Sequence, residues 1–434
     1  MTGMETYSTF EEMFDELDRA VGEFADQQTT TAADAIAEFT RDGGNVTTLT
    51  EEAFAVTHEP TSELAEWDDP WPVTYGIDGS TTRSLRFHNG LIAGASAAKL
   101  GVSGESDNTD LARRTTTTLI AYLNADGFSL GGARSAGLDT PEDIDAHLFS
   151  FPSCERTNRI EDYVVGVSRT FAEGKHAREL ADELDGPLFI DGPLYPSPAF
   201  QWMLFGQVEG GPRGMAEIWP EMVGDILQNY VSTIETMYEN DLPVIGIVKT
   251  GRSSVALTAL EDKIRNTDID GLELPLPWSS DTQLFSNALH TEADLYGDRG
   301  HLISYTPWLF QTEQTAHGES VIPFGSFDGV SLRYGDPQEY QRAFFYARCP
   351  RSGTVMRVET PYMFARNDRF RERIQRKALV ELAQQQNEPR AITFADENAR
   401  ITRNDRKNLL NVIQNVAPVA EREVQRGQDR FESE

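Results

Sequence analysis

The chain has 434 residues, with 38 Lys and Arg against 70 Asp and Glu, so its formal net charge is -32. Its 39% hydrophobic and 10% aromatic residues exclude an intrinsically disordered acidic chain, and the length suits one large domain or two medium ones. Two cysteines, Cys154 and Cys349, exclude a disulfide framework and a four-thiolate zinc site. The sequence shows no secretory signal and no run of 18 apolar residues, so we expect a cytoplasmic protein that does not span a membrane.

Lysine is scarce among the basic residues: 6 are Lys, and subtracting these from 38 leaves 32 Arg. The Debye length falls to about 3 Å at 1 M salt, so the repulsion within a carboxylate-rich surface becomes tolerable there. The composition therefore favours a protein from a cytoplasm that accumulates salt, as in a salt-in halophilic archaeon. The alternative is an acidic protein from an organism that does not accumulate salt.

The charge is distributed unevenly along the chain. Residues 1–70 contain 18 acids and 2 bases, whereas residues 333–434 contain 15 acids against 17 Arg and 2 Lys. Because counterion release requires local positive charge, the Arg-rich part from Arg333 onward is the candidate footprint for nucleic-acid phosphates. Ordinary arginines on exposed helices are the alternative.

The first part of the chain predicts helices. Apolar spacing over residues 10–39, with few Pro and Gly, favours one or two acidic amphipathic helices. We therefore assign residues 1–70 to an acidic helical N-terminal extension, residues 71–420 to the main domain and residues 421–434 to a polar tail.

From Pro72 onward, runs rich in β-branched and aromatic residues alternate with stretches of helical spacing. The predicted strands are 73–77, 85–100, 187–190, 243–248, 302–310, 330–334, 342–348 and 354–360. The predicted helices are 158–184, 219–238, 255–264, 368–386 and 405–416. This alternation predicts an α/β fold with a mixed sheet flanked by helices and a C-terminal helical segment.

Several sharp catalytic motifs are absent from the sequence. It contains no phosphate-binding loop of the type Gly-x4-Gly-Lys-Ser/Thr, no His-Glu-x-x-His, no Gly-x-Ser-x-Gly and no Gly-x-Gly-x-x-Gly. We therefore do not expect this chain to hydrolyse ATP by itself.

Two aspartates follow apolar strands and precede glycine: Asp78 in the turn predicted at residues 78–80, and Asp191 after the strand at 187–190. Ligand sites of α/β sheets gather at the carboxyl ends of strands, and carboxylate oxygens on rigid supports suit a divalent metal ion. The pair therefore predicts a metal site, although either Asp-Gly alone is compatible with an ordinary turn.

Four short segments occur in a characteristic order: Tyr-Gly-Ile-Asp-Gly-Ser (75–80), Leu-Phe-Ile-Asp-Gly-Pro-Leu (188–194), Val-Ile-Gly-Ile-Val-Lys-Thr (244–250) and Arg-Val-Glu-Thr-Pro (357–361). Through these segments the chain resembles the NurA nucleases over roughly residues 70–415. The resemblance implies an RNase H-like fold and a DNA nuclease with 5′-to-3′ exonuclease and single-strand endonuclease activity in the resection of double-strand breaks. It also implies a homodimer that works with the hexameric ATPase HerA.

The same resemblance implies a metal site for Mn²⁺ or Mg²⁺. Asp78 and Asp191 match the two strand-end aspartates of the family, and a helix glutamate completes the set. Glu173 is similar in position to that glutamate, and Glu179 on the same predicted helix is the alternative. Either could instead be a solvated helix residue.

Two further family positions differ in this chain. A Tyr-Pro and an Ala-His-x-x-Ala pattern are similar to Glu388-Pro389 and to residues 395–399, so that Glu388 replaces the Tyr and Asp396 the His. Asp396 can still ligate a metal through oxygen, but it does not titrate near neutrality as imidazole does. Lys249, at the end of a predicted strand, is expected either to contact the scissile phosphate or to form a salt bridge with a nearby carboxylate.

The sequence therefore predicts metal-assisted hydrolysis of phosphodiesters in DNA, with Asp78, Glu173, Asp191 and Lys249 as the reactive set and Asp396 as an added metal ligand. The replacements at residues 388 and 396 leave a second hypothesis, an adaptor that binds DNA ends and the ATPase but cuts poorly. A third is an RNase H-like hydrolase that acts on RNA or on hybrids.

Overall fold

The computed structural model describes much of the chain from residue 46 to residue 402. The described residues are 13–17, 19, 32, 35–36, 46–50, 54–105, 109–125, 128, 143–154, 159–196, 218–249, 255–266, 274–290, 301–311, 314–316, 319–321, 330–402 and 407. No helix within these residues is both long and apolar enough to cross a membrane.

The strands are β1 (Val46–Thr48), β2 (Thr57–Pro60), β3 (Thr74–Thr81), β4 (Leu85–Arg86), β5 (Ile92–Ser103), β6 (Thr115–Tyr122), β7 (Ile144–Phe151), β8 (Leu188–Asp191), β9 (Val244–Val248), β10 (Leu302–Tyr305), β11 (Leu309–Gln311), β12 (Gln314–Ala316), β13 (Glu319–Val321), β14 (Arg342–Arg348) and β15 (Val355–Pro361). The helices are α1 (Thr61–Ala65), α2 (Ile160–Leu180), α3 (Pro220–Glu239), α4 (Val255–Asn266), α5 (Asp281–Ala288), α6 (Tyr362–Ala365), α7 (Asp368–Gln385) and α8 (Arg390–Ala399).

Thirteen of the described strands form one mixed sheet. Its main path runs β1-β11-β14-β15-β9-β8-β3-β5-β6-β7, while β10 pairs with β14 and β2, and β4 pairs with β5. Strand β8 lies between β3 and β9 and is parallel to both, whereas β5 and β15 join this central group from either side as antiparallel neighbours. The predicted mixed α/β sheet flanked by helices is confirmed.

The helices cover both faces of the central strands. Helix α2 packs on β5 and β6 and carries α3 on its outer side, while α8 packs on β3 and β5. Apolar side chains of the sheet and of α2 and α3 form one core, which includes Phe189, Val164, Phe171, Ile226 and Val231. Burial of this apolar area is the main favourable term in folding, and it places the carboxylates described below on a rigid support.

Two glycines allow α8 to lie directly on the sheet. A Cβ atom at Gly76 on β3 would lie 2.3 Å from the carbonyl carbon of Ala391, and one at Gly101 on β5 would lie 2.1 Å from the Ala391 oxygen. Backbone cannot retreat from such a contact as a side chain can, so these positions tolerate no side chain. The close approach brings the residues that precede α8 over the ends of the central strands.

Most predicted elements are present, but the prediction of a strand at 330–334 is wrong. There the backbone N–H of Ser331 donates to Gln228 Oε1 (2.8 Å) and that of Arg333 donates to Glu235 Oε1 (2.6 Å). Side chains of α3 thus take the hydrogen bonds that a neighbouring strand would supply. The run predicted at 302–310 is divided into β10 and β11, while β6, β7 and α8 are elements that the sequence analysis did not identify.

The N-terminal extension, predicted to be helical, also contributes two strands to the main sheet. Within residues 1–70, β1 pairs with β11 and β2 pairs with β10, both antiparallel. Most of the helical prediction at 10–39 lies outside the described residues, and so does the helix predicted at 405–416 apart from Lys407. The boundaries at residues 70 and 420 remain predictions.

Candidate active site

Two carboxylates stand side by side at the centre of the sheet. Ile77 of β3 is in register with Ile190 of β8, so the next residues, Asp78 and Asp191, occupy neighbouring positions on parallel strands. Strand β8 ends at Asp191, as predicted. The turn predicted at Asp78 is wrong, because β3 continues to Thr81 in antiparallel pairing with β5, and Asp78 lies within the strand.

Glu173 reaches the same place from α2. Glu173 is buried, and its carboxylate lies against Gly79. A Cβ atom added to Gly79 would lie 2.8 Å from both Cγ and Oε1 of Glu173. The hydroxyl of Tyr230 on α3 lies 3.5 Å from the other carboxylate oxygen. Because Gly79 has no side chain, Glu173 of α2 can fit against β3 at this position.

Arg169, one helical turn before Glu173, links two of the carboxylates. Its Nε donates to Glu173 Oε1 (2.6 Å) and its Nη2 donates to Asp78 Oδ1 (2.8 Å). The backbone N–H of Gly79 also donates to Asp78 Oδ1 (2.7 Å). We call Asp78, Glu173 and Asp191 the carboxylate cluster, with Arg169 as its bridging cation.

Lys249, directly after β9, holds the third carboxylate. Its Nζ lies 2.8 Å from Asp191 Oδ1 and also forms an ion pair with Glu388, which precedes α8. Burial by itself lowers the pKa of Lys249, but Asp191 and Glu388 outweigh it and raise this pKa. The lysine therefore stays charged, and of its two predicted roles the salt bridge is the one that the structure contains.

The cluster carries an excess of negative charge. Burial, together with the neighbouring Glu173 and Asp191, raises the pKa of Asp78 from 3.8 to about 7, against the opposing effects of Arg169 and of the Gly79 N–H. Burial likewise raises the pKa of Glu173, with Arg169 opposing and Asp191 adding to the shift. Both carboxyl groups are thus more easily protonated than in water because burial and like charge disfavour their ionised forms.

The chemistry of these side chains fits a divalent cation. Four carboxylates, those of the cluster and Glu388, face the two cations Arg169 and Lys249, which leaves two negative charges when all are ionised. Carboxylate oxygens are the ligands that Mn²⁺ and Mg²⁺ prefer. Within the described part of the chain, no three such groups already face one another as a ready ligand set. Arg169 and Lys249 instead pair with oxygens of all three cluster residues.

Two other predicted residues lie apart from the cluster. Asp396 on α8 is exposed, and no hydrogen bond or ion pair among the described residues joins it to the cluster. Glu179 forms an ion pair with Lys175 on its own helix (2.6 Å). Of the two glutamates considered for the helix position, Glu173 is the one placed beside Asp78.

The predicted phosphate footprint is partly paired with carboxylates. Of the twelve described arginines from residue 333 onward, at least six form ion pairs with carboxylates, namely Arg333, Arg342, Arg357, Arg366, Arg371 and Arg376. Part of the basic charge in this stretch is therefore an internal counter-charge to the acids of the same protein.

A second buried carboxylate supports the segment after Asp191. Glu359 on β15 accepts hydrogen bonds from Arg342 Nη1 (2.9 Å) and Arg357 Nε (2.7 Å). Its other oxygen accepts from the backbone N–H of Leu194 (2.9 Å). The N–H of Gly192, whose φ of +121° favours glycine, donates to the Ile247 oxygen (2.9 Å). The turn that follows Asp191 is thus held to β15 and β9.

Arg169 and the contact made by Glu388 were not predicted from the sequence. The signal for Arg169 was its spacing of four residues from Glu173, which places both side chains on one side of α2. Glu388 was noted as a replaced family residue, but its ion pair with Lys249 depends on the position of α8, which was not predicted.

The chain matches the NurA domain family model over residues 72–401. A comparison with curated protein sequences gave no significant match. Among solved structures, the chain is similar to the NurA nuclease from Sulfolobus solfataricus, with 12% identity and a TM-score of 0.44 over 96% of this chain and 97% of that one. It is also similar to NurA bound to dAMP and manganese (10% identity, TM-score 0.45, 99% of each chain) and to NurA with manganese (10% identity, TM-score 0.39, 83% of this chain and 93% of that one). Since the family model covers well over half of its residues, this chain belongs to the NurA family.

Proposed function

We propose that this NurA family member is a divalent-metal-dependent DNA nuclease. The observation that carries the proposal is the carboxylate cluster, in which Asp78 and Asp191 on neighbouring strands meet Glu173 from α2. With Glu388 and all four carboxylates ionised, two negative charges exceed those balanced by Arg169 and Lys249. When bound there, one or two Mn²⁺ or Mg²⁺ ions would lower the pKa of a water nucleophile and stabilise the leaving oxygen.

The side chains around the cluster have separate roles in this proposal. Asp78, Glu173 and Asp191 hold the metal. Lys249 orients the Asp191 carboxylate through their 2.8 Å contact and is itself kept in place by Glu388. Glu359 fixes the turn after Asp191 through the Leu194 N–H, so the strand end cannot drift away from β3. Asp396, exposed on α8, retains the role of metal ligand only as a prediction.

Most of the finer assignments rest on the family. They are an RNase H-like fold, 5′-to-3′ exonuclease and single-strand endonuclease activity in end resection, a homodimer, and partnership with a HerA-type hexameric ATPase. The assignment to a salt-rich cytoplasm rests on the acid-rich, Lys-poor composition. The strand order β6-β5-β3-β8-β9, with β3, β8 and β9 parallel, supports the fold assignment. The lack of a phosphate-binding loop supports an external source of ATP-driven movement.

The test is hydrolysis of end-labelled single-stranded and duplex DNA in high salt with Mn²⁺, Mg²⁺ or EDTA. We expect metal-dependent cutting by the wild type and loss of at least about a hundredfold in rate in Asp78→Ala and Asp191→Ala, since metal-bound water supplies the nucleophile. Glu161→Gln, on the same helix as Glu173 but paired with Arg86, is the matched control and should cut normally.

Other outcomes would select the alternatives. A wild type that is inactive with every metal, even with a HerA-type ATPase added, would favour the adaptor that binds ends without cutting. Cutting of RNA or hybrids in preference to DNA would favour the third hypothesis. Activity that survives in both aspartate variants would place the reaction elsewhere in the molecule.

A further inference from the structure

Arg169 occupies an unusual place for a helix arginine. Its guanidinium joins Asp78 Oδ1 (2.8 Å) and Glu173 Oε1 (2.6 Å), so one monovalent cation is shared by two carboxylates from different elements. Both carboxylates belong to buried residues, yet the arginine side chain keeps 39% of its surface exposed. The cation thus covers the cluster from the solvent side.

We propose that Arg169 is an exchangeable counter-cation of the metal site: it holds Asp78 and Glu173 together in the metal-free protein and is displaced when a divalent ion binds. This role rests on the proposed function, since it presumes that the cluster binds such an ion.

Competition for the same atoms supports the exchange. The oxygens that accept hydrogen bonds from Arg169 belong to two of the three carboxylates that would ligate the metal. A guanidinium and a divalent cation cannot both lie against these oxygens without strong repulsion, because like charges a few ångströms apart repel strongly where little water screens them. Metal binding must therefore release at least part of the contact that Arg169 makes.

Arg169 can also leave the cluster without disturbing the fold. Its side chain is partly exposed, and rotation about its own bonds would carry the guanidinium into solvent while α2 stays in place. Lys249 is different, because it is 28% exposed and is held between two carboxylates, Asp191 and Glu388, from β8 and from the segment before α8. Of the two cations, Arg169 is the one that can be exchanged.

Charge balance favours the same exchange. Without Arg169, no cationic side chain among the described residues would pair with Asp78 or Glu173, and Lys249 would remain on Asp191. Arg169 supplies one positive charge where a divalent ion supplies two, so the exchange lowers the excess from two negative charges to one when all four carboxylates are ionised. The metal-free site is thereby kept in shape for the ion.

The experiment is calorimetric titration of the metal-free protein with MnCl₂ in high salt, together with thermal unfolding before and after metal is added. In Arg169→Gln we expect Mn²⁺ to bind at least about tenfold more tightly, because the competing charge is gone. The metal-free form of this variant should unfold at a lower temperature than the wild type. Arg178→Gln, on the same helix but bonded to Asn229, is the control and should behave as the wild type in both measurements.

Three results would overturn the role. Equal Mn²⁺ affinity in the wild type and in Arg169→Gln would show that the arginine does not compete, and weaker affinity in the variant would show that it supports the ligands instead; either would leave the nuclease proposal standing. Absence of Mn²⁺ binding in both proteins would overturn the metal-dependent function and this role together.

A second variant covers the case in which Arg169→Gln does not fold without metal. Arg169→Lys keeps the charge, but a single ammonium cannot bridge two carboxylates as the guanidinium fork does. We expect it to fold and to bind Mn²⁺ more tightly than the wild type by a few-fold. An affinity equal to or below that of the wild type would contradict the proposal.

Discussion

Two buried glutamates in this molecule show opposite charge balance. Glu173 shares a single arginine with Asp78 and also faces Asp191, and burial raises its pKa. Glu359 is more deeply buried, and burial by itself would raise its pKa too, but the guanidiniums of Arg342 and Arg357 lower it on balance. Glu173 thus has only a share in one arginine, whereas Glu359 is paired with two.

The comparison teaches that burial alone does not make a carboxylate ready for a metal. A buried acid that is fully paired with arginines is a structural ion pair, and an added cation would find no charge left to neutralise. A buried acid that lacks full compensation disfavours its ionised form until a cation arrives. In this protein the two kinds lie close together, since Glu359 binds the turn that follows Asp191.

The largest loss of stability is expected from removing the charge of Glu359, which two arginines compensate. Glu359→Gln leaves Arg342 and Arg357 buried without their counter-charge, and breaking such a buried pair costs about 3–5 kcal/mol. Urea unfolding measures the loss. Glu339→Gln, in the more exposed pair with Arg366, is the control and should cost about 1 kcal/mol or less. A loss of that small size for Glu359→Gln would show that the buried network contributes little.

The next largest expected effect is a dependence of stability on pH that arises from the carboxylate cluster. The pKa of Asp78 is about 7 in the folded protein against its ordinary value of 3.8, so between these values the folded state binds more protons than the unfolded state. The stability of the metal-free protein should therefore fall as pH rises from about 4 to about 7, by a few kcal/mol in total. Asp78→Asn should flatten this dependence, and urea unfolding at several pH values in EDTA measures it. An unchanged slope in the variant would assign the titration to other groups.

The strand aspartates and Lys249 could be predicted from the sequence, whereas Arg169 could not. Apolar runs that end in Asp-Gly predicted Asp78 and Asp191, because a strand and its polar end are local properties of the chain. Glu173 entered only through the family resemblance, since a helix glutamate has no local mark that separates it from a solvated one. Arg169 was missed for the same reason, because an arginine four residues from a glutamate is usually a surface pair.

The elements that the sequence did not reveal depend on tertiary contacts. Helix α8 is short, and its place is set by the room over Gly76 and Gly101 on two strands that are distant in sequence. The charge balance at Glu359 could not be predicted either, because Arg342 comes from β14 and meets Glu359 only through the pairing of β14 with β15. Mixed sheets of this kind can be predicted from periodicity, whereas the ion pairs that cross them cannot.

Substitution of Gly79 is expected to lower stability only slightly but to lower activity strongly. A Cβ atom there would meet the Glu173 side chain at 2.8 Å, and a side chain can shift where backbone cannot. Gly79→Ala should cost about 1 kcal/mol or less in stability, yet it should lower metal-dependent cutting at least about tenfold, because small misplacements of catalytic groups are costly. Gly76→Ala, on the same strand but against the backbone of α8, is the contrast and should destabilise the fold by several kcal/mol. Normal cutting by Gly79→Ala would show that Glu173 adapts.

The smallest effect on stability is expected from Glu173→Gln, the same substitution that is most damaging at Glu359. A glutamine resembles the protonated acid, which burial makes easier to form at Glu173, and Arg169 keeps its contact with Asp78. The lost ion pair and the relieved repulsion should nearly cancel, so the unfolding free energy of the metal-free protein should change by about 1 kcal/mol or less. Mn²⁺, however, should stabilise the variant much less than the wild type, because a charged ligand is gone. A loss above about 2 kcal/mol without metal would mean that Arg169 compensates Glu173 as fully as the two arginines compensate Glu359, and the distinction between the two glutamates would fail.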